Sequence, residues 1–336
     1  MHQLQISIII PTHNRHDKLA ETVAGLRQQT LPADDYEILV MDDGSTPPVG
    51  LTCDLENPTC RVIRLEGVER SITRNTGAQK ARGEILVFVD DDMRVEKEFL
   101  AHHLRVHQKR PGSLVVGAVR LPDESLKTPF GRFRQMLELQ EAPTESGLVA
   151  APNFCTAQNM SILKSRFQEL GGFDEQIVSS EDQELALRHT ARGGKIVFTL
   201  EALAIHHDHS LEIQSYCKRV TWGSEYMIPF CQRYPDWPQN IERQRINGAL
   251  RLGQEPFGLS LRKIAKAVLG QKLFLQGLFA LTFFLERTRP QSTALDRLYR
   301  LLLGIHLQRG HRNGLKKFST RVEVRNQSAE LGANSL

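Results

Sequence analysis

The stretch GEILVFVDDDMRVEKEF, Gly83 to Phe99, decides how this chain is to be read. An apolar run from Ile85 to Val89 stops at three consecutive carboxylates, Asp90, Asp91 and Asp92. Two unit charges about 4 Å apart repel by roughly 4 kcal/mol at an effective dielectric near 20, so a fold that gathers three needs positive charge close by. If extended geometry persists past the strand, alternation puts Asp90 and Asp92 on one face and Asp91 on the other, where it matters least. A D-x-D pair of that kind offers hard oxygen ligands to Mg²⁺ or Mn²⁺, with phosphate oxygens and water completing the shell. A solvated acidic turn capping the helix that starts near Glu96 is the plainer alternative.

Upstream and downstream, the same kind of run recurs. Ile6 to Ile10, Tyr36 to Asp42, Arg61 to Leu65, Glu84 to Asp90 and Leu114 to Leu121 are short and rich in β-branched or aromatic residues. Near-continuous apolar strands suit a mainly parallel sheet covered on both faces. Between them, Leu19, Val23 and Leu26 stand at helical spacing, as do Phe99, Leu100 and Leu104, with Val95 a further candidate. Alternating strands and helices predict a layered α/β domain, and in open sheets of that class ligands bind beyond the carboxyl ends of the strands.

Composition narrows the class further. With 336 residues, 40% of them hydrophobic and 24% charged, the chain is long enough for a substantial core and unlike a disordered protein. Lys+Arg 43 against Asp+Glu 39 leaves a net charge of +4, which carries no nucleic-acid footprint. Five dispersed cysteines (Cys53, Cys60, Cys155, Cys217, Cys231) without a C-x-x-C pair read as reduced thiols of a cytosolic protein. The apolar run in MHQLQISIIIPTHNR is too short for a secretory h-region and reads as the first strand.

The strand ends carry the chemistry. After the first comes PTHNR (Pro11 to Arg15), and after the second DDGS (Asp42 to Ser45). Asp42 and Asp43 can accept hydrogen bonds from a base or a ribose, or Asp42 can close its own loop as an Asx-type turn. Arg74, on the helical segment before the aspartate strand, is a planar donor suited to a diphosphate, although a solvated arginine is the commoner case. In SSEDQELALR, Ser179 or Ser180 is placed to cap a helix, leaving Glu181 and Asp182 in its first turn. The helix dipole keeps carboxylates there ionised, as a general base requires. Finally, EALAIHHDHS ends a strand with His206, His207, Asp208 and His209, any imidazole of which can complete the shell of a transition-metal ion.

Taken in order, SIIIPTHNR, VMDDGS, RNTGAQKARGEILVFVDDD, NMSI followed by LGGFDE, SEDQELALR and the later histidine resemble the family 2 glycosyltransferases of GT-A fold. The resemblance runs from Ile6 to His209, roughly 60% of the chain. It implies a central, mainly parallel sheet flanked by helices, and inverting transfer of a sugar from a nucleotide-diphosphate donor, UDP by default, to a glycan or lipid-linked acceptor in cell-envelope polysaccharide synthesis. It also implies roles. Pro11, Thr12 and Arg15 border the base, Asp42 contacts it with Asp43 alongside, and Arg74 helps hold the donor. Asp90 approaches the ribose or donor sugar, and Asp92, with Asp90 and His206, holds Mn²⁺ or Mg²⁺. Asp182 is the catalytic base, with Glu181 beside the acceptor. His206 is favoured over His207, and the absence of Q-x-x-R-W favours transfer of single sugars. An inactive binding module of the same fold would be free to lose Asp92 or Asp182, and both are present. A nucleotidyltransferase or a dinucleotide enzyme would call for G-x-x-x-x-G-K-[ST] or G-x-G-x-x-G, and neither occurs where it is needed.

These boundaries follow: a catalytic domain over 1–209, with a nucleotide half 1–121 and an acceptor half 122–209, a helical region 210–310, and a basic, polar tail 311–336. Within the helical region, KAVLGQKLFLQGLFALTFFLE (Lys266 to Glu286) is the most apolar segment, interrupted by Gln271, Lys272 and Gln276 and flanked by Lys and Arg. It predicts an amphipathic element over 258–289, lying peripherally on the inner face of the plasma membrane or packed on protein, with a spanning helix, which these interruptions disfavour, as the third alternative.

Overall fold

The computed structural model describes residues 4–50, 60–207 and 212–333. The chain divides into two compact units, Met1–Lys127 with Arg134–His209, and Thr128–Phe133 with Ser210–Leu336.

The first unit is built on one mixed sheet. Its strands are β1 (Ile6–Thr12), β2 (Tyr36–Asp43), β3 (Cys60–Leu65), β4 (Ile85–Val89), β5 (Met93–Val95), β6 (Leu114–Arg120), β7 (Gly147–Val149), β8 (Asn159–Leu163) and β9 (Ile196–His206). They lie in the order β3-β2-β1-β4-β8-β6-β9-β5, with β7 on β9. The expected first four strands are parallel neighbours, and β8 enters antiparallel between β4 and β6.

Strand alternation sorts the core into two layers. Ile9, Leu39, Met41, Leu86 and Phe88 face one side, where α2 (Arg70–Lys80), α5 (Lys164–Leu170) and α6 (Glu181–Ala191) cover them. Ile8, Ile10, Ile38, Val40 and Val87 face the other, against α1 (His16–Leu26) and α3 (Phe99–Lys109). Helix α2 lies so close to the sheet that a Cβ on Gly77 would stand 2.6 Å from Ile9 Cγ2. Val95, a candidate for the third helix, belongs instead to β5.

A polar cluster is buried beneath α3. His103 Nδ1 and His107 Nε2 lie 2.8 and 2.9 Å from the Ser161 hydroxyl, and His103 Nε2 is 3.0 Å from Asn159 Oδ1. Asn159 in turn donates to the carbonyls of Ala118 (3.0 Å) and Ala202 (2.8 Å), bracing β6 and β9 where their register shifts. Cys155, Cys217 and Cys231 are buried free thiols, Cys60 is buried, and Cys53 lies outside the described residues.

The second unit contains α7 (Ile213–Tyr226), α8 (Ile228–Arg233), α9 (Pro238–Asn247), α10 (Phe257–Leu269), α11 (Lys272–Thr288) and α12 (Thr293–Ala333), besides the first turn of α4 (Pro129–Glu141). Helix α12 continues through the stretch expected as a polar tail. It packs on α7 through Gly310, whose added Cβ would lie 2.2 Å from the Thr221 carbonyl oxygen. Among the described residues no single helix is long and apolar enough to cross a membrane, and α10 with α11 reaches that length only as a pair bent by 91°.

Burial lowers His103 to about 4 and His107 to about 3, so both are neutral in the folded protein. Their unfolded counterparts protonate near 6.5, so stability is complete above that pH. It falls as the medium is acidified toward the folded values, by about 1.4 kcal/mol per pH unit for each histidine. Urea unfolding at pH 7, 6 and 5 is expected to show this decline, and His107→Leu should lower the slope by about 1.4 kcal/mol per pH unit. An unchanged slope would remove the buried histidines as its cause.

Candidate active site

The aspartate motif does not continue as a strand. β4 ends at Val89, the chain turns at Asp91 and Asp92, and β5 begins at Met93. The expectation that Asp90 and Asp92 share a face fails for that reason: Asp90 turns to Arg74, while Asp91 and Asp92 share Arg15.

Asp90 accepts from Arg74 Nη2 at 2.7 Å. Asp91 is buried, accepts from the Thr12 hydroxyl at 2.7 Å and from Arg15 Nη1 at 3.1 Å, and offers its carbonyl to Thr22 at 2.9 Å. Asp92 is buried, accepts from the same Arg15 nitrogen at 2.9 Å and stands 3.3 Å from His206 Nε2. Asp91, expected to matter least, is the anchor of the turn. Burial raises its carboxyl pKa, against the Thr12 hydroxyl and Arg15 and with the help of the neighbouring aspartates.

Register explains the histidine. Met93 of β5 pairs with His206 of β9, and the His207 N–H donates to the Asp92 carbonyl at 2.8 Å. His206 is therefore the imidazole beside Asp92, while Lys18 Nζ caps the carbonyl of His207. Asp208 and His209 lie outside the described residues.

The loops after β1 and β2 brace one another. Thr46 N–H donates to Asn14 Oδ1 at 2.7 Å, Asn14 N–H donates to Ser45 Oγ at 2.9 Å, and Asn14 itself is left-handed with φ 55°. Asp42 has both oxygens engaged, one by Ser45 N–H (2.9 Å) and the other by Val49 N–H (3.1 Å) and Arg64 (2.6 Å). Burial opposes ionisation here, but those hydrogen bonds hold the Asp42 pKa below its usual value. Asp42 thus closes its own loop and is itself buried. Asp43 is half-buried and accepts from Val68 N–H at 2.6 Å. Pro11 lies past Ile9, the last residue of β1 paired to β4, where its missing N–H leaves no ladder bond unmade on that side.

Arg74 is not poised toward a diphosphate. It is 2% exposed and bridges two carboxylates, Asp90 through Nη2 and Glu181 through Nη1, both at 2.7 Å. Glu181, expected beside the acceptor, is buried against this guanidinium. Asn75, the next residue, is paired with Phe173: its Nδ2 donates to the Phe173 carbonyl (2.9 Å) and its Oδ1 accepts the Phe173 N–H (2.9 Å). RNTG and LGGFDE, 98 residues apart at this contact, are thereby stitched together.

Asp182 follows Glu181 at the head of α6, behind Ser180, which caps without a side-chain hydrogen bond and in a left-handed conformation (φ 68°). It accepts from Ala157 N–H at 3.0 Å and from Gln183 N–H at 2.8 Å. Loss of solvent, and then the charge of Glu181, raise its pKa well above the ordinary aspartate value, while the two N–H groups and Arg74 oppose the rise.

Residues 7–166 match the family described as Glycosyl transferase family 2. They are a family 2 glycosyltransferase domain. Curated relatives include the O-antigen biosynthesis protein RfbC of Myxococcus xanthus, 28% identical over 236 residues, and the glycosyltransferase AglE of Haloferax volcanii, 22% identical over 205. These alignments cover 61% and 60% of this chain, and 17% and 66% of the relatives' lengths. Among solved structures, the mannosyltransferase PcManGT of Pyrobaculum calidifontis, in complex with GDP-Man and Mn²⁺, aligns over 92% of this chain and 88% of its own at a TM-score of 0.59 and 17% identity. That likeness is one of fold.

In this glycosyltransferase domain, Asp92 and His206 are the carboxylate and the imidazole that lie together at the aspartate turn. One carboxylate and one imidazole suit Mn²⁺ or Mg²⁺ less as a closed cage than as two protein ligands to an ion whose remaining positions are filled by phosphate oxygens and water. Among the described residues no third histidine, cysteine or carboxylate joins them, and Asp90 is turned to Arg74.

Removing Arg74 strands two carboxylates. Arg74→Leu is expected to cost about 3–5 kcal/mol, since uncompensated buried charge is the expensive case. Arg74→Lys should recover only part, because one ammonium cannot reproduce the planar double donor. Denaturant titration of the three proteins checks both.

Proposed function

We propose that the glycosyltransferase domain transfers a single sugar, with inversion, from a nucleotide-diphosphate donor to a hydroxyl of a glycan or lipid-linked glycan in cell-envelope polysaccharide synthesis. The observation that carries this reading is the Arg74 bridge. It ties the donor-side aspartate turn, through Asp90, to the head of α6, where Asp182 sits one residue beyond Glu181. The family match, and the nucleotide sugar and Mn²⁺ named for the structural neighbour, support the donor class, with UDP as the default nucleotide.

Asp92 and His206 would hold the divalent ion, which when bound neutralises charge on the leaving diphosphate. Asp182 would accept the acceptor's proton as its oxygen bonds to the anomeric carbon. The bond from that carbon to the diphosphate breaks with its electron pair on the leaving oxygen, and the configuration inverts. The raised pKa of Asp182 makes it a stronger base than a solvated aspartate. Thr12 and Arg15 keep the aspartate turn in shape by way of Asp91, and Glu181 holds Arg74 in place.

A panel of UDP-, GDP- and dTDP-sugars, with and without Mn²⁺, tests the donor by thermal stabilisation and product release. Absence of any metal-dependent stabilisation would reject the proposal. Asp182→Asn should keep donor stabilisation and lose transfer by about 10²–10⁴-fold, whereas Asp92→Asn should weaken the metal-dependent part of donor binding. Because the base acts ionised, transfer should rise with pH through the elevated Asp182 value. The acid limb of the rate profile is then expected well above the usual carboxylate range near 4, and a limb at that ordinary value would exclude Asp182 as the group titrating.

A further inference from the structure

Within the second unit a cavity of about 250 Å³ opens between the C-terminal end of α10 and one face of α12. Lys266, Arg309, Arg312 and Lys316 line it, with the polar side chains of Gln271 and Asn313. None of its lining residues is a carboxylate. Nearby cations are treated differently: Lys263 is buried, with its ammonium 2.5 Å from Glu255 and 3.0 Å from the Ala249 carbonyl. Lys266, half-buried, has no such ion pair among the described residues, and burial together with Arg262 and Lys263 disfavours its charge. Arg309 is held in the cavity wall by its bond to the Gly270 carbonyl. Like charges gathered around a concavity call for an anion, as the aspartate turn calls for its arginines.

What lies beside the cavity narrows the anion. The chain bends by 91° at this point, from α10 into α11. Phe257, Leu261, Ile264 and Val268 fall on one face of α10, at helical spacing, and α11 presents Leu273, Phe274, Leu281 and Phe284. These eight side chains are between 43% and 82% exposed. Contiguous apolar surface of this size flanked by cations is the pattern of an element that lies in a lipid headgroup layer. A nucleic acid would leave the aliphatic side chains without a partner.

We infer that the α10–α12 cavity is a phosphate site for an anionic phospholipid headgroup, and that the exposed faces of α10 and α11 enter the lipid beside it. The acyl chains cover the apolar side chains, and the headgroup phosphate receives hydrogen bonds from Lys266, Arg309 and Arg312. The site sits outside the glycosyltransferase domain and binds without turnover. Its failure is therefore distinguishable from a failure of the transferase reading.

The experiment is cosedimentation of the intact chain, without sugar donor, with vesicles of phosphatidylcholine alone or mixed with phosphatidylglycerol. The expected result is binding to the mixed vesicles only, weakened by salt through screening. A Lys266→Gln, Arg312→Gln double variant should lose at least tenfold in partitioning, and Lys266→Arg with Arg312→Lys should regain it. Leu273→Ser with Phe284→Ser, at exposed positions that leave folding intact, should also weaken binding. Equal binding to both vesicles, or a double variant that binds as well as the parent, would overturn the inference. Inorganic phosphate that raises the melting temperature only when Lys266 and Arg312 are present, with no vesicle binding, would overturn the lipid assignment in favour of a soluble ligand. A dimer that depends on Leu273 and Phe284, again with no vesicle binding, would give the apolar faces to a second copy of the chain.

Discussion

A buried guanidinium between two carboxylates holds the candidate active site together. Arg74 reaches Asp90 at the end of β4 and Glu181 at the head of α6, which are 91 residues apart in the chain (181 − 90). Desolvating three charges is expensive, and the expense is met only when each charge has its partner in good geometry. The arrangement therefore tolerates little displacement. Asn75 reinforces it from the adjacent position by matching both backbone groups of Phe173, so the helix that carries Arg74 and the loop before α6 are tied to each other.

Arg15 plays the corresponding part on the other side of the aspartate turn. One of its nitrogens lies against both Asp91 and Asp92, while about half of its side chain remains exposed. Two arginines thus answer three aspartates, one from the dry interior and one from the solvent edge. The difference has a physical consequence. An exposed guanidinium is replaceable by another cation at modest cost, whereas the buried one is structural.

The two units handle charge in opposite ways. In the first, acidic groups cluster at strand ends and are neutralised internally, and hydrogen bonds hold even Asp42 ionised in a buried loop. In the second, basic groups gather around a cavity whose lining holds no carboxylate, beside apolar helix faces turned to solvent. A net charge of +4 averages these away, which is why whole-chain composition carried no sign of either.

Much of this is legible in the sequence. Short apolar runs placed β1 to β4 and β6 within a residue or two, because strands buried on both faces must be apolar throughout. The order of the motifs pointed to the GT-A fold, and the D-x-D, E-D and histidine segments were rightly sought at strand and helix ends. Local pattern could not reveal which oxygen meets which cation. Alternation was extrapolated through Asp91, but the chain turns there, and the antiparallel pairing of β5 with β9 is what brings His206 to Asp92. Nor did sequence spacing show that Arg74 belongs to Glu181, or that His103, His107, Ser161 and Asn159 share one buried network, whereas the Asx-type turn that Asp42 closes was open to it. By itself the sequence determined the elements and their chemical endowment, since burial and hydrogen-bonding demands act over a few residues. The pairing of charges was decided only in the tertiary structure, where partners 70 or more residues apart are brought within 3 Å and the loss of water makes each match obligatory.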